Sequence, residues 1–177
     1  LTTGAKNLAV GYQAGLGITT GQYNTIVGSE AADDIADGNN NTVMGRGAMG
    51  GSMGGNSETS SDNVFLGYAS GGGNWADQQT DGCVAIGSLA MSGALAGDTA
   101  DGSVAIGKSA LAALTSGAGN TAVGYTALDE LATGNNNTAL GYQALHQIDA
   151  AEADNTAVGY AAGASLDGGG QNVLIGS

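Results

Sequence analysis

The sequence predicts an all-β fold, a parallel β-solenoid of about ten rungs in a single domain spanning residues 1–177. A motif of the form Asn-Thr-Ala-Val-Gly-Tyr recurs along the chain from end to end. Every residue directly before the glycine of that motif is apolar. The chain also contains 34 glycines and no proline, which is far from the usage of an ordinary globular core.

The glycine of each motif, here called the anchor glycine, recurs at intervals of 17, 17, 22, 20, 20, 17, 17, 18 and 17 residues. We expect each anchor to mark a corner of the coil, where a positive φ favours glycine. A second glycine often precedes the anchor by seven residues and predicts another corner, so each rung should hold two short strands. The anchors are Gly11, Gly28, Gly45, Gly67, Gly87, Gly107, Gly124, Gly141, Gly159 and Gly176.

The three residues before each anchor predict a strand with two apolar faces. In the seventh rung these residues are Thr121, Ala122 and Val123. Because successive side chains of a strand point to opposite faces, this pattern predicts that both faces are buried. A one-chain solenoid leaves its outer face in water, so we expect another copy of the chain to cover it. Short segments such as 109–115 and 127–132 leave a helical turn open as an alternative within some rungs.

Asparagine begins the motif in eight of the ten rungs, with Cys83 and Ser103 in the other two. Amide side chains at equal positions in successive coils can hydrogen-bond along the stack. A residue repeated in eight coils serves the repeat and not a catalytic site. The predicted structural ladder is Asn7, Asn24, Asn41, Asn63, Asn120, Asn137, Asn155 and Asn172.

Charge and composition exclude several functional classes. The net charge is -13 with only three Lys and Arg, so a nucleic-acid-binding surface is not expected. No apolar run is long enough to span a membrane, so membrane insertion is not expected. Cys83 has no disulfide partner, and His146 has no nearby Cys or His with which to bind zinc, so we expect it at the surface of a loop.

Several motifs resemble a known family. Residues 103–107 (Ser-Val-Ala-Ile-Gly) and 83–87 (Cys-Val-Ala-Ile-Gly) resemble the repeat of YadA-like head domains of trimeric autotransporter adhesins. Residues 137–142 (Asn-Thr-Ala-Leu-Gly-Tyr) are similar to related repeats in bacteriophage tail fibres. The resemblance implies a left-handed β-roll, a side-by-side homotrimer and a role in surface attachment. The rungs are longer than those of the adhesin heads, and no stalk or membrane-anchor sequence is present, so we expect one segment of a fibre.

The rungs between Gly45 and Gly107 are longer than the others, which predicts lateral loops within residues 46–106. The middle loop holds the only tryptophan, flanked by amides and a carboxylate. Such residues suit carbohydrate, since a ring stacks on a sugar while amides bind its hydroxyl groups. The alternative is a tryptophan that packs its own loop against the rod. The candidate receptor-binding residues are Asn74, Trp75, Asp77, Gln78 and Gln79.

Two further sets of residues are weaker candidates. Tyrosine follows the anchor in five rungs, at Tyr12, Tyr68, Tyr125, Tyr142 and Tyr160, and such a stripe is either a glycan platform or a packing element. Carboxylates gather at Asp33, Asp34 and Asp37, and again at Asp149, Glu152 and Asp154, where their oxygens could serve as ligands of Ca²⁺. Neither cluster matches a calcium-binding motif, so solvated acidic loops are the favoured interpretation and no cofactor is expected.

These observations favour a non-enzymatic, extracellular attachment protein, on a virion or a cell-surface fibre, whose partners are its own copies and a host-surface glycan or protein. An alternative is a repeating subunit of an extracellular filament stacked end to end, since a rung motif lies close to each end of the sequence. A polysaccharide lyase or hydrolase is disfavoured, because no pair of carboxylates recurs on the strands.

Overall fold

A computed structural model of the chain describes residues 4–50, 59–73, 79–93, 100–148, 152–166 and 168–177. Ten strands of three residues form one parallel sheet, and they pair in the order of the sequence. The prediction of an all-β parallel solenoid is therefore confirmed. The strands are β1 (Leu8–Val10), β2 (Thr25–Val27), β3 (Thr42–Met44), β4 (Val64–Leu66), β5 (Val84–Ile86), β6 (Val104–Ile106), β7 (Thr121–Val123), β8 (Thr138–Leu140), β9 (Thr156–Val158) and β10 (Val173–Ile175).

The register of the sheet follows the motif through the long rungs as well as the short ones. Thr121 pairs with Thr138 across the regular 17-residue interval between β7 and β8. Thr42 pairs with Val64 in the same way, although 22 residues separate them. The extra residues therefore leave the strand register unchanged, as expected when insertions are accommodated in loops outside the sheet.

The prediction of two strands per rung is wrong. In the described residues each rung has one strand, and turns and bends make up the rest of the coil. Left-handed residues recur two and four positions after the anchor and five positions before it, as at Thr126 (φ 47°), Leu128 (φ 53°) and Gly119 (φ 69°). Such residues interrupt extended backbone before a second strand can form. The turns still bond from rung to rung, for example from the Leu128 N–H to the Ala144 carbonyl at 3.1 Å.

The anchor glycines have the positive φ that the sequence predicts. All ten have φ between 130° and 147°. The rungs also stack too closely for a side chain, since a Cβ on Gly124 would lie 2.1 Å from the carbonyl oxygen of Gly141. The preceding glycines at Gly21 and Gly38 are required mainly by contact, because a Cβ on Gly21 would lie 2.4 Å from the Gly38 carbonyl oxygen.

The core lies inside the coil and is built from repeating columns of side chains. The middle residue of each strand from β2 to β9 is fully buried. Small residues three positions after the anchor and larger aliphatic residues four and seven positions after it complete the interior. Examples of these three columns are Ala127, Leu128 and Leu131 in the seventh rung.

In several rungs the volumes of the middle strand residue and of the residue four positions after the anchor are balanced. The fifth rung pairs Ala85 with Met91, and the seventh pairs Ala122 with Leu128. The fourth rung reverses this arrangement. It places the only phenylalanine, Phe65, against Gly71, where an added Cβ would lie 3.0 Å from the Phe65 ring. At these two positions of the three rungs, a large side chain therefore faces a small one, as close packing of the coil requires.

Candidate functional site

The outer face of the sheet is formed by the first and third residues of each strand. Most of these side chains are half-buried in the single chain, and several are exposed by about half or more. Val10 is 52 % exposed, Met44 50 % and Leu140 46 %. The face is thus a long, narrow, largely apolar strip along the rod, and large exposed patches of this kind mark interaction surfaces.

Tyrosines form a stack beside the outer face. The rings of Tyr125 and Tyr142 have centroids 5.3 Å apart with an interplanar angle of 10°, and those of Tyr142 and Tyr160 are 5.2 Å apart at 5°. The ring faces that meet in these two stacks therefore cover one another. This geometry favours the packing interpretation of the tyrosine column over a platform on which sugar rings would stack.

Each of the three basic residues of the chain lies over a tyrosine of the next rung. The Lys6 ammonium is 4.6 Å from the Tyr23 ring centroid and also donates to its hydroxyl at 2.7 Å. The Arg46 guanidinium is 4.7 Å from the centroid of Tyr68. Lys108 lies 5.9 Å above Tyr125. All of the basic charge of the chain is thus held in cation–π contacts along the rod.

The asparagine side chains form a buried ladder in two sections. In each step the side-chain oxygen accepts from the backbone N–H and the amide group of the next asparagine. From Asn120 to Asn137 these distances are 2.9 and 3.2 Å. The Asn120 amide in turn donates to the Gly134 carbonyl at 2.8 Å. Each asparagine therefore satisfies backbone groups of its own turn and of its neighbour, which is a structural role.

Cys83 and Ser103 separate the two sections of the ladder. The Cys83 backbone N–H still donates to the Asn63 oxygen at 2.8 Å, and its Sγ lies 3.1 Å from the Ala100 carbonyl oxygen. Burial raises the pKa of the Cys83 thiol to about 11. Ser103 donates to Gly117. Neither residue has the exposure of a reactive nucleophile.

The first acidic cluster divides into two environments. Asp37 accepts hydrogen bonds from the hydroxyls of Thr20 and Thr19, which lower its pKa. Burial, together with the charge of Asp34, raises the pKa of Asp33. Within the described ranges no three His, Cys, Asp or Glu side chains are grouped to hold a metal ion.

The second acidic cluster is only partly described. Asp154 accepts from the Asn136 amide at 3.3 Å, and Glu152 is partly buried. Asp149 lies outside the described residues. Glu152 Oε2 is shielded from solvent and has no hydrogen-bond partner among the described residues.

A short contact between a histidine and an aspartate joins the seventh and eighth rungs. His146 Nδ1 contacts Asp129 Oδ1, and both side chains are largely buried. Burial raises the pKa of Asp129, while His146 opposes that rise. The expectation of an isolated surface histidine missed this pair, which the 17-residue interval between the two residues could have indicated.

The candidate receptor-binding residues lie mostly outside the described ranges: these are Asn74, Trp75, Asp77 and Gln78. Gln79 is described and exposed. Its amide donates to Asp81 Oδ2 at 2.7 Å, and its oxygen accepts from the Thr59 hydroxyl at 3.0 Å. Gln79 thus lies in polar contacts that join the bases of two neighbouring long loops.

A cleft of about 560 Å³ opens on the first four rungs, beside the bases of the first two long loops. It is lined by Gln13, Glu30, Asp33, Asp34, Arg46 and Tyr68, with glycines between them. Sequence reasoning considered Asp33, Asp34 and Tyr68 separately and did not join them. Their common place emerges only when the rungs are stacked in register.

Comparisons with known proteins identify no relative: no protein-family model, curated protein or solved structure matches the chain. Among the described residues no helix is sufficiently long and apolar to cross a membrane.

Proposed function

We propose that this chain is a non-enzymatic attachment protein, a segment of a phage tail fibre or a related surface adhesin, which assembles side by side into a homotrimer. The proposed coil is left-handed, as the motif resemblance implies. The trimer would be extracellular, on a virion or a cell-surface fibre, and would present its lateral loops to a host-surface glycan or protein.

The observation that carries the proposal is the exposed outer face of the sheet. Its side chains are apolar or threonine at every rung, from Leu8 to Ile175. A soluble monomer rarely exposes so continuous an apolar strip. A second and a third copy offer a partner of equal length and equal repeat, which fits the whole strip rung by rung.

Attachment would depend on multivalency. Three identical sites on one stiff rod raise the effective concentration of the second and third contacts, so weak single sites suffice. The motif resemblance to trimeric adhesin heads and phage fibres supports the same function. The long rungs in the middle of the chain supply the lateral surface for contact.

The mass of the purified chain in solution, measured by light scattering over a range of concentrations, tests the assembly. We expect a stable mass near three times 17.0 kDa. Ile106→Glu places a charge in the middle of the outer face and should convert the trimer to monomers that keep the β-sheet circular dichroism spectrum. The matched control is Gln147→Glu, which adds the same charge at an exposed position away from the sheet and should leave the trimer intact.

A monomeric wild-type chain would refute the trimer. Masses that grow without limit would instead support the alternative, an end-to-end filament. Attachment itself is tested by sedimenting the labelled wild-type protein with a panel of Gram-positive and Gram-negative cells, where failure to bind any of them would refute the attachment function.

A further inference from the structure

The cleft on the first four rungs combines groups of opposite charge around one ring. Arg46 extends over the face of Tyr68 at 4.7 Å, and no carboxylate of the described residues forms a salt bridge with it. Glu30, Asp33 and Asp34 project from the rung before Arg46 into the same cleft. The volume of about 560 Å³ lies within the range of small-molecule sites.

One acceptor in the cleft has no partner among the residues that the structure describes. Asp33 Oδ1 is shielded from solvent and accepts no hydrogen bond from them. Gly50 lies beside it, and a Cβ there would be 3.3 Å from this oxygen. A shielded oxygen without a donor is unfavourable, and a ligand cannot reach it directly. Because Asp33 lines the cleft, its other carboxylate oxygen is the one available to a donor on a ligand.

The lining selects the chemical class of the ligand. The carboxylates repel phosphate, sulfate and other anions, and the guanidinium of Arg46 repels a bare metal cation. A neutral polyol avoids both conflicts. Each hydroxyl group of a sugar can donate to a carboxylate and accept from a guanidinium or from the Gln13 amide, and the apolar C–H face of the sugar can pack at the edge of Tyr68.

We propose that this cleft binds a neutral saccharide unit. Asp33 and Arg46 would hydrogen-bond neighbouring hydroxyls, and Tyr68 would position the sugar ring. The proposal rests on the attachment function and names the glycan-binding site within it. The repeat provides an internal comparison, because Lys108 over Tyr125 forms the same kind of pair, but Leu89 and Ser92 replace the carboxylates on the preceding rung.

Saturation-transfer NMR on the purified full chain tests the proposal. The probes are the methyl glycosides of glucose, galactose, mannose, rhamnose, N-acetylglucosamine and N-acetylgalactosamine, each at millimolar concentration. We expect at least one to bind. Arg46→Ala and Tyr68→Ala should each weaken its binding by about tenfold or more, the size expected for the loss of a charged hydrogen bond or a ring contact.

Matched controls come from the comparison pair. Lys108→Ala and Tyr125→Ala remove the same kinds of side chain from the same column, and the affinity should stay within about twofold. If an alanine variant fails to fold, Arg46→Gln and Tyr68→Phe give milder changes that should still weaken binding. The proposal is overturned if no probe binds, or if the Arg46 and Lys108 variants lose affinity equally.

The two proposals fail separately. If the wild-type chain sediments with cells but binds no methyl glycoside, the saccharide site is wrong and attachment stands. If a glycoside binds in an Arg46-dependent manner but no cell is bound, the site stands and the attachment function is wrong.

Discussion

At the scale of single residues, the anchor glycines are the most constrained positions of the chain. Gly124 combines a φ of 147° with a Cβ position only 2.1 Å from the next carbonyl oxygen. We expect Gly124→Ala to destabilise the fold by more than about 3 kcal/mol. The backbone at Gly124 and the backbone at Gly141 cannot move apart without breaking the hydrogen bonds between their rungs. Urea unfolding measures the change in the free energy of unfolding.

Gly47→Ala is the control for that substitution. Gly47 also has a positive φ, of 62°, but a Cβ there would meet no atom within 4 Å. It should therefore lose only about 1 kcal/mol, the ordinary penalty of alanine in the left-handed region. Equal losses at the two positions would contradict the larger penalty expected at Gly124, where both φ and the close approach of the rungs disfavour a side chain.

Two aspartates of one cluster should respond oppositely to pH. The raised pKa of Asp33 means that the fold disfavours the ionised form of this side chain. The resulting loss of folding stability is absent below pH 3.8, the ordinary pKa, and appears as pH rises through the raised pKa. Asp37 has a lowered pKa, so it contributes stability above 3.8 that is lost as pH falls through the lowered value.

Asp33→Asn and Asp37→Asn separate these effects. At pH 7 the first should raise the midpoint of thermal unfolding and the second should lower it, and both differences should disappear in strong acid. Thermal melts of the two variants from pH 7 down to about pH 1 provide the measurement. A change of the same sign at both positions would contradict the assigned environments.

The thiol of Cys83 should be inert in the folded chain. With a pKa of about 11 and full burial, almost none of it is thiolate at pH 8. We expect no reaction with Ellman's reagent before unfolding and one equivalent afterwards in guanidinium. Rapid modification of the folded protein would mean that the ladder opens locally around Ser103 and Cys83.

At the scale of the rung, the large Phe65 side chain lies against Gly71, whereas the next rung has the small Ala85 and the large Met91 at these positions. This reversal allows a test of whether the two positions share one volume in the core. Phe65→Ala should cost about 3–5 kcal/mol, because it leaves a cavity at the centre of the fourth rung. Adding Gly71→Met copies the Ala85–Met91 pair of the next rung and should restore part of that loss, since Met91 occupies its column with the same left-handed backbone (φ 50°).

Gly71→Met alone is the complementary variant. It should destabilise the fold, because Phe65 already fills the space that the new side chain needs. Denaturant unfolding of the two single variants and the double variant gives the coupling free energy. Additive losses would show that the two columns do not share one volume.

The elements also show how far sequence patterns reach. The repeated three-residue strand pattern and the recurring anchor glycines predict the ten strands and their register. Both depend on local sequence and on the stacking of equivalent positions in successive rungs. The second strand of each rung could not be excluded from composition, since residues such as Thr126 and Leu128 have no intrinsic preference for the left-handed backbone that stacking imposes on them. The cleft was missed for a related reason, because its charged groups come from different rungs.

At the scale of the whole molecule, the proposed trimer must bring together chains that each carry a charge of -13. Their mutual repulsion opposes association, and salt screens it over about 10 Å at 0.1 M. We therefore expect the concentration at which trimers dissociate to fall as NaCl is raised, as measured by analytical ultracentrifugation. The Gln147→Glu control, with one more negative charge per chain, should need more salt for the same degree of association.

Strand pairing in strict sequence order has a consequence for how the length of the rod can evolve. Each strand bonds only to the strands before and after it, so an in-frame duplication of residues 108–124 supplies one complete additional level with the same neighbours on both sides. The rod would lengthen by about 4.8 Å for each such copy. For the attachment function proposed above, the reach of the rod could therefore change in whole steps through recombination between repeats, with no new type of rung required.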